Sequence, residues 1–345
     1  MIAAILYGKE DIKIESVPIP QLGEGEVLIK VEVALTCGTD LKVYQRGYHA
    51  RMIVPPALFG HESAGIIAEV APGVKGFKKG MRVVALNSAP CGVCFYCSKH
   101  QENLCDDLLF NNGAYAEYIK VPRRIVERNL LAIPAGISFE AAALTEPLAC
   151  VLRGLHESRV EVGDTVTVIG GGPIGLMMMQ VAGVNGCRVI AVVKHDDQEE
   201  AARKFGAHEV VNLGKVADPV KAVRGLSAGG RGSDVVIEAV GRPLAWQWSL
   251  EMVRKGGLVN FFGGCPTGTR VELDTQLMHY SDLTLKASFH HTPDMVRRAF
   301  GLITEKKIRP MDYITDEAPL SRLQQVLNEL LHRRTQIKTA IIPGH

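Results

Sequence analysis

One stretch of the chain, DTVTVIGGGPIGLMMMQVAGVNGCRVIAVV at 164–193, constrains the fold more than any other. It runs from an apolar strand through a glycine turn and a long helix into a second apolar strand. Strands that are apolar on both faces and joined by a helix are typical of a βαβ unit in a parallel sheet covered by helices. Further apolar runs, with helices predicted at 198–205 and 244–253, continue the alternation to LTLKASF. The sequence predicts an α/β domain with a doubly wound parallel sheet over residues 151–289.

The glycine turn carries the first functional signal. Gly170, Gly172 and Gly175 match G-x-G-x-x-G, and the turn follows a strand and opens a helix, the context in which this motif is informative. The first glycine permits a tight turn, the second lets the backbone approach a pyrophosphate, and the third lets helix and strand pack closely. Together with Pro173 and Ile174, these residues predict a dinucleotide site.

The end of the second strand bears on which dinucleotide binds. Val193 occupies the position where Asp or Glu would bind the ribose hydroxyls of NAD, and Lys194 follows it. Without that carboxylate a 2′-phosphate is not repelled, and Lys194 could pair with it. Asp196 and Asp197 return negative charge nearby, so NAD stays the alternative. The pattern favours NADP(H).

The first 150 residues follow a different rhythm. EGEVLIKVEVALT alternates apolar and polar residues, which is typical of a half-buried strand, and GIIAEVAPGVKGFKKGMRVVAL predicts two strands joined by a turn. Many short strands separated by Gly and Pro predict a β-rich, barrel-like domain. At the end of the chain we expect helices at 293–305 and 320–332 and a closing strand, KTAIIP.

Four of the eight cysteines lie close together in the segment APCGVCFYCSKHQENLC. Their spacing is C-x2-C-x2-C-x7-C, formed by Cys91, Cys94, Cys97 and Cys105. Four thiolates at such short spacing can converge on one tetrahedral Zn²⁺ in a closed structural site, which leaves no position for chemistry. An iron–sulfur cluster is the alternative.

Charge and hydropathy exclude several classes of partner. The formal net charge of +2 gives no reason to expect nucleic acid or an acidic membrane surface. The N-terminal sequence alternates like a strand rather than an export signal, and no apolar run approaches the roughly 20 residues of a membrane span. We therefore expect a cytoplasmic protein, in which thiols stay reduced and a disulfide is disfavoured.

A second set of metal-ligand residue types is spread along the chain. TCGTD at 36–40 and GHESAG at 60–65 contain Cys37, His61 and Glu62, which we expect on loops beside predicted strands. LTEPLAC at 144–150 adds Glu146 and Cys150 where the β-rich part meets the nucleotide domain. Three protein ligands and an open position make a catalytic zinc site.

In their order along the chain, CGTD, GHE, the four-cysteine loop, EPLAC and the glycine turn resemble the zinc-dependent medium-chain alcohol dehydrogenase family. The resemblance covers nearly the whole chain and is greatest for the polyol (sorbitol-type) and threonine dehydrogenase branch. It implies a GroES-like catalytic domain over residues 1–150, completed by 290–345, and a Rossmann domain over 151–289. It also implies two zinc ions per chain, hydride transfer between a secondary alcohol or ketone and NAD(P)(H), and a homo-oligomer, a tetramer rather than a dimer.

The same resemblance assigns roles to single residues. Cys37 and His61 would be zinc ligands, and Glu62 would bind zinc or exchange with its water. Asp40 would not bind the zinc itself but would contact His61 and fix its tautomer. Thr39 would pass the substrate's hydroxyl proton outward.

The resemblance leaves open the third zinc ligand, the role of Lys42 and the residues that line the substrate site. The third zinc ligand is Glu146 if the chain follows the polyol branch and Cys150 if it follows simpler alcohol dehydrogenases; we expect Glu146. Lys42 stands where the family often has a proton-relaying histidine. Polar side chains that could line a site for a polyol, sugar, cyclitol or amino alcohol, or equally lie on the surface, are Tyr44, Arg46, Tyr48, His49, Arg51, Tyr115, His290 and His291.

Two rival classes predict different residues. A zinc-free reductase of enones or quinones would lack Cys37, His61 and the four-cysteine loop, all of which are present. A non-enzymatic NAD(P)-binding zinc protein would tolerate loss of the open site. Metal content separates the three: two zinc ions fit a dehydrogenase, one fits a degenerate protein and none fits the reductase.

Overall fold

The computed structural model describes residues 1–49, 51–332 and 336–344 of the chain. The chain forms two compact units, Met1–Ala149 with His291–His345, and Cys150–His290. None of the helices in the described part combines the length and the apolar character needed to cross a membrane.

The secondary structure alternates between short strands and helices along the whole chain. The strands are β1 Ile2–Gly8, β2 Asp11–Ser16, β3 Val27–Leu35, β4 Ala57–Leu58, β5 Ser63–Val70, β6 Arg82–Ala85, β7 Ser88–Ala89, β8 Leu109–Phe110, β9 Tyr118–Val121, β10 Leu130–Ala132, β11 Thr165–Ile169, β12 Arg188–Val193, β13 Glu209–Asn212, β14 Ser233–Glu238, β15 Val253–Phe261, β16 Thr284–Ala287, β17 Ile314–Pro319 and β18 Lys338–Ile342. The α-helices are α1 Gly38–Arg46, α2 Phe95–Ser98, α3 Arg123–Asn129, α4 Phe139–Ala143, α5 Thr145–Glu157, α6 Pro173–Val184, α7 Asp196–Lys204, α8 Pro219–Leu226, α9 Pro243–Met252, α10 Thr275–Tyr280, α11 Pro293–Thr304 and α12 Leu323–His332.

The first unit is built on an extended sheet ordered β10-β6-β5-β3-β18-β17, with β9 also paired to β3. Strand β3 was predicted to be half-buried from its alternating pattern, but only Lys30 of the strand is exposed. The reason is its place in the middle of the sheet, between β5, β9 and β18, where α4 also contacts it. Side chains of the C-terminal elements β18 and α12 join those of the N-terminal strands in one apolar core.

The second unit is a parallel sheet ordered β13-β12-β11-β14-β15-β16. Numbered from β11, this is the order 3-2-1-4-5-6 of the Rossmann fold, and it confirms the predicted doubly wound sheet. The strand order reverses between β11 and β14, because the chain continues from β11 to β12 on one side and returns to β14 on the other. Dinucleotides bind at such a switch point. The glycine turn follows β11 directly.

Several helices of the structure have no counterpart in the sequence prediction. Helix α1 lies where the sequence predicted a loop, and α5 lies where it predicted a domain junction. Helix α1 matters most for function, because it begins at the TCGTD motif. Cys37 lies in the two-residue loop between β3 and α1, as expected, and it is also the N-cap of α1.

Candidate active site

Two neighbouring strands bring the dispersed ligand-type residues together. Cys37 lies two residues after the end of β3, and its Sγ accepts a hydrogen bond from the backbone N–H of Thr39 at 3.4 Å. His61 and Glu62 directly precede β5, which pairs antiparallel with β3. The backbone N–H of Leu35 donates to the carbonyl oxygen of Glu62 at 2.9 Å, which holds the end of β3 beside the start of β5. One ligand atom each of Cys37, His61 and Glu62 therefore lies within 4.8 Å of the others.

The imidazole of His61 is oriented by a buried carboxylate. Its Nδ1 lies 3.0 Å from Oδ1 of Asp40, and the two residues are 5% and 1% exposed. Burial alone would lower the pKa of His61, but the negative charges of Asp40 and Cys37 raise it well above its usual value. A proton on Nδ1 donated to Asp40 leaves Nε2 as the ligand atom, which is the arrangement seen in carboxylate–histidine–zinc sites.

A buried ion pair lies on the other side of the ligand set. Lys338, the first residue of β18, donates to Oε2 of Glu62 at 2.6 Å and to the carbonyl oxygen of Thr36 at 2.8 Å. Lys338 is 1% exposed and Glu62 is fully buried. The second carboxylate oxygen of Glu62, Oε1, has no hydrogen-bond partner in the described part of the chain. A buried oxygen of this kind is a suitable metal donor.

Glu146 is the second residue of α5 and is 7% exposed. Burial first, and then the charges of Glu62 and Asp40, raise the pKa of Glu146 to about 7, although His61 and Lys338 act in the opposite direction. Cys150 lies one turn further along the same helix and is half-buried. Burial is thus the main cause of the raised pKa of Glu146, since two acidic and two basic neighbours act on it in opposite directions.

This donor set fits a zinc ion. It combines a thiol, an imidazole and buried carboxylates, which are the zinc ligands of catalytic sites in proteins. The pKa of the Cys37 thiol is raised by burial and by the charge of Glu62, so the cluster is short of positive charge. A divalent cation would supply that charge.

The four-cysteine loop forms a separate site in the same unit. The Sγ atoms of Cys91 and Cys97 are 4.0 Å apart and those of Cys94 and Cys105 are 3.8 Å apart. Sulfurs about 2.3 Å from one tetrahedral ion would be about 3.8 Å apart, so the four thiols have the spacing of a zinc site. Backbone N–H groups of Val93 and Cys94 lower the pKa of Cys91 to about 6, which favours a thiolate.

The structure divides the polar residues proposed to line the substrate site. Tyr44, Tyr115 and His291 are 1%, 0% and 2% exposed, so these three pack in the interior and are not surface residues. His291 shares a hydrogen bond of 3.0 Å with Asn87, and burial first and then His61 lower its pKa to about 3. The candidates that remain exposed or half-buried are Arg46, Tyr48, His49, Arg51 and His290.

In the second unit, the backbone of the glycine turn accounts for its glycines. Gly170 has φ of 127°, which a side chain would strain, and a Cβ on Gly175 would lie 1.9 Å from the carbonyl oxygen of Gly170. Gly172 is the N-cap of α6, with open space where its Cβ would be, and Pro173 and Ile174 form the first turn of the helix. Exposed N–H groups at a helix start can bind a pyrophosphate, so the turn fits a dinucleotide.

The acidic residues after β12 are partly neutralised within the unit. Val193 ends the strand and is 1% exposed, and the exposed Lys194 follows it. Oδ1 of Asp196 lies 3.0 Å from the ammonium of Lys215, which lowers the pKa of Asp196. Asp197 lies in the first turn of α7.

Two residues close to these sites were missed by sequence reasoning. Lys338 could have been noticed as a charge that opens an apolar closing strand. Glu238 is fully buried at the end of β14, and its Oε1 accepts hydrogen bonds from the N–H groups of Val240 and Gly241 at 2.8 Å each. The signal for Glu238 was a carboxylate at the end of the apolar run DVVIEAVG. Glu238 anchors the turn next to Gly170, because the N–H of Ala239, which follows it, donates to the carbonyl oxygen of Ile169 at the end of β11.

Comparisons with known proteins agree with the fold. Residues 23–134 match the family described as alcohol dehydrogenase GroES-like domain, and residues 173–305 match the family described as zinc-binding dehydrogenase. Sorbitol dehydrogenase of Bacillus subtilis is 31% identical and covers 100% of this chain and 98% of its own length. L-threonine 3-dehydrogenase of Bacillus licheniformis is 32% identical, and the match covers 97% of this chain and 96% of that protein.

A solved structure extends the likeness to three dimensions. A zinc-binding dehydrogenase from Sinorhizobium meliloti bound to NADP superposes with a TM-score of 0.90 at 30% identity, over 99% of both chains. Sequence matches along the whole chain, the Rossmann order of the second unit and the buried ligand set all agree. The chain therefore belongs to the zinc-dependent medium-chain alcohol dehydrogenases, enzymes that transfer a hydride between an alcohol carbon and a nicotinamide cofactor, in the branch of the sorbitol and threonine dehydrogenases.

Proposed function

We propose that this enzyme interconverts a secondary alcohol and its ketone at a zinc ion bound by Cys37, His61 and Glu146, with Glu62 as an additional or exchanging ligand. The observation that carries the proposal is the cluster of Cys37, His61 and Glu62, whose ligand atoms lie within 4.8 Å of one another, with His61 and Glu62 buried. The raised pKa of Glu146, about 7, supports it, because a carboxylate that is hard to ionise in the protein alone is stabilised as an anion by a cation.

The chain's own residues have distinct tasks in this proposal. Zinc, when bound, supplies a Lewis acid that lowers the pKa of the substrate hydroxyl, and the nicotinamide accepts the hydride. Asp40 keeps the proton of His61 on Nδ1, and Lys338 keeps one oxygen of Glu62 occupied. Thr39, half-buried next to Cys37, receives the substrate's hydroxyl proton and passes it outward.

Replacement of Glu146 tests the third ligand against its rival. We expect Glu146→Ala to lose turnover by more than about a hundredfold, since loss of even an outer-shell partner of a zinc ligand costs about 10–100-fold. Cys150→Ala, one turn away on the same helix, is the matched control and should retain most activity. Zinc content and kcat are measured for both. If Cys150→Ala were the more damaging change, the third ligand would be Cys150.

We also propose that the dinucleotide is NADP(H). The side chain of Val193 has no atom that can accept a hydrogen bond from the ribose hydroxyls of NAD. Lys194 is exposed, and its ammonium has no partner among the described residues. The pairing of Asp196 with Lys215 removes much of the repulsion that argued against a 2′-phosphate. The NADP bound to the similar Sinorhizobium protein is further support.

Two substitutions test the preference. A charge-assisted hydrogen bond is worth about 1.5–3 kcal/mol, so Lys194→Met should weaken NADP⁺ about tenfold to a hundredfold and leave NAD⁺ unchanged. Val193→Asp should reverse the preference by repelling the phosphate and binding the ribose. Lys221→Met, at a lysine that is 86% exposed on α8, is the control. A wild-type kcat/KM that favours NAD⁺ by tenfold or more would mean that Lys194 points to solvent.

The substrate class follows from the branch and from the polar residues that stay accessible. Relatives in this branch are named for sorbitol and threonine, an alcohol with several hydroxyls and a hydroxy amino acid. Arg46, Tyr48, His49 and Arg51 lie on α1 or shortly after it, on the segment that leads from Cys37 to His61. We infer a polyol, sugar, cyclitol or amino alcohol. A panel of these compounds, with simple aliphatic alcohols as controls, tests it; faster turnover of the aliphatic alcohols would contradict it.

The assembly and the second zinc ion are part of the same proposal. We propose a homotetramer with two zinc ions per chain, in a reducing compartment such as the cytoplasm. The compartment is proposed because the thiols of the two zinc sites must stay reduced to bind the metal. Val93 and Phe95 of the cysteine loop are 88% and 64% exposed, and such apolar side chains are often covered in an oligomer. Light scattering after size exclusion measures the assembly, and a monomer would contradict it.

A further inference from the structure

Behind the histidine–carboxylate pair lies a third polar group, the hydroxyl of Tyr115. It is 2.6 Å from Oδ2 of Asp40 and 3.1 Å from the carbonyl oxygen of Leu35. Tyr115 is 0% exposed, so no water competes for these contacts. The carboxylate of Asp40 is thus held at both oxygens, with Oδ1 facing Nδ1 of His61 and Oδ2 facing the phenol.

The single proton of this hydroxyl goes to Asp40. A distance of 2.6 Å is within the range of an O–H donor to a carboxylate, whereas 3.1 Å to Leu35 is long for an O–H donor. Burial and the neighbouring charge of Asp40 raise the pKa of Tyr115 well above its usual value. The short distance and the raised pKa both indicate that the phenol keeps its proton and donates it to Asp40.

The backbone fixes Tyr115 to the segment that ends in His61. Its N–H donates to the carbonyl oxygen of Phe59 at 3.0 Å, and its carbonyl oxygen accepts from the N–H of Ala4 at 2.8 Å. The ring packs on Gly60, where a Cβ would lie only 2.5 Å from the ring. Gly60 has φ of 88°, so glycine is needed there for both reasons. The hydroxyl cannot move without the residues that immediately precede His61.

We propose that Tyr115 is a positioning residue of the catalytic metal site. It acts through Asp40: by holding Oδ2, it fixes the plane of the carboxylate, which in turn fixes the ring of His61 and the direction of Nε2. Outer-shell partners of this kind change metal affinity by about 10–100-fold. The inference rests on the proposed zinc site, and it assigns Tyr115 to the metal site and not to the substrate site.

The test is Tyr115→Phe in the full-length, zinc-loaded protein. The phenylalanine keeps the ring that packs on Gly60 and removes only the hydroxyl. We expect the catalytic zinc to bind about 10–100-fold more weakly in competition with a chelator, while the zinc at the four cysteines is unchanged. Tyr313→Phe, which removes another buried hydroxyl of the same unit (1% exposed), is the matched control and should leave both zinc ions unchanged.

A second readout separates positioning from general loosening. With Co²⁺ in the catalytic site, Tyr115→Phe should shift the visible absorption bands and Tyr313→Phe should not. In an Asp40→Ala background, Tyr115→Phe should have no further effect on zinc affinity, since Asp40 carries the effect. Unchanged zinc affinity in Tyr115→Phe would overturn the inference, and so would equal weakening of both zinc sites. If the wild-type protein bound zinc only at the four cysteines, the proposed catalytic zinc would be wrong, which is seen before any variant is made.

Discussion

At the scale of single residues, the site is defined by buried charges that each have a partner. Lys338 and Glu62 are the clearest case, an ion pair that is almost completely removed from water. Forming such a pair costs desolvation of both ions and gains little overall, but removing one member leaves the other buried and unpaired. The pair therefore specifies where β18 lies relative to the ligand loop more than it adds stability.

Replacing Lys338 tests this asymmetry. We expect Lys338→Met to lower the free energy of unfolding by about 3–5 kcal/mol, since Glu62 stays behind as a buried charge. Adding Glu62→Gln to the Lys338→Met variant should restore most of the lost free energy of unfolding. Lys30→Met, at a pair whose side chains are 51% and 30% exposed, is the control and should cost no more than about 1 kcal/mol. Denaturant unfolding of the four proteins gives the values; a double variant less stable than Lys338→Met would contradict the account.

The same pair has a defined dependence on pH. Burial alone would lower the pKa of Lys338, but Glu62 and Cys37 raise it above its ordinary value of 10.5. A group whose pKa is raised on folding contributes stability that is fully present below the unfolded pKa and is lost as pH rises through the folded pKa. The stability difference between wild type and Lys338→Met should therefore be constant over about pH 6–9 and decrease only above about pH 10.5. A difference that already fell between pH 6 and 9 would contradict it.

At the scale of elements, each site is built where a helix begins beside the end of a strand. Helix α1 starts at Cys37 after β3, and α6 starts at Gly172 after β11. At α6 a glycine is required by close packing, whereas a Cβ on Gly38 at the start of α1 would meet no atom within 4 Å. At α6 the approach is close, since the first turn of the helix packs against the carbonyl oxygen of Gly170.

Two glycine-to-alanine changes on helices of the second unit measure this approach. Gly175→Ala places a Cβ 1.9 Å from a backbone oxygen, which no rotamer change can relieve. We expect a loss of about 3 kcal/mol or more and weaker dinucleotide binding. Gly225→Ala on α8 has open space around its Cβ and should be neutral or more stable by about 0.5–1 kcal/mol. Thermal unfolding and dinucleotide titration measure these effects. Equal stability of the two variants would contradict the prediction and show that the glycine turn accommodates the added methyl group.

At the scale of the whole molecule, chemistry and binding are divided between two compact units. The first unit contains Cys37, His61 and Glu146 as well as the four-cysteine loop, although its residues come from both ends of the chain. The second contains the glycine turn and the end of β12. A metal site that is closed by four protein ligands contributes folding free energy directly, so the cysteine loop should support the first unit without taking part in turnover.

Removing one ligand of that loop tests its structural role. We expect Cys94→Ser to reduce zinc from two ions to one per chain and to lower the melting temperature by on the order of 5–10 °C, because binding energy of the ion is lost from the folded state. Cys265→Ser, at a half-buried cysteine outside the cluster, should keep both ions and the wild-type melting temperature. Two zinc ions and unchanged melting in Cys94→Ser would rule out the structural role.

Local sequence was enough for what depends on neighbours in the chain. The alternation of apolar strands and helices predicted the doubly wound sheet, because a parallel sheet covered on both faces requires apolar strands. The glycine spacing predicted the turn after β11, since few other residues adopt the backbone of Gly170 or leave room at Gly175. The cysteine spacing predicted the four-thiol cluster, because its members are joined by a short segment that can close on itself.

Only the tertiary structure decided the surroundings of His61. Asp40 contacts His61 across 21 residues of the chain, Tyr115 contacts Asp40 across 75, and Lys338 contacts Glu62 across 276. Pairing of β3 with β5 and of β18 with β3 brings them together, and strand register at such separations depends on the packing of the whole unit. The sequence left Tyr115 open between a substrate site and the surface, because a tyrosine's polarity is visible in the sequence, whereas its burial is set by contacts distant along the chain.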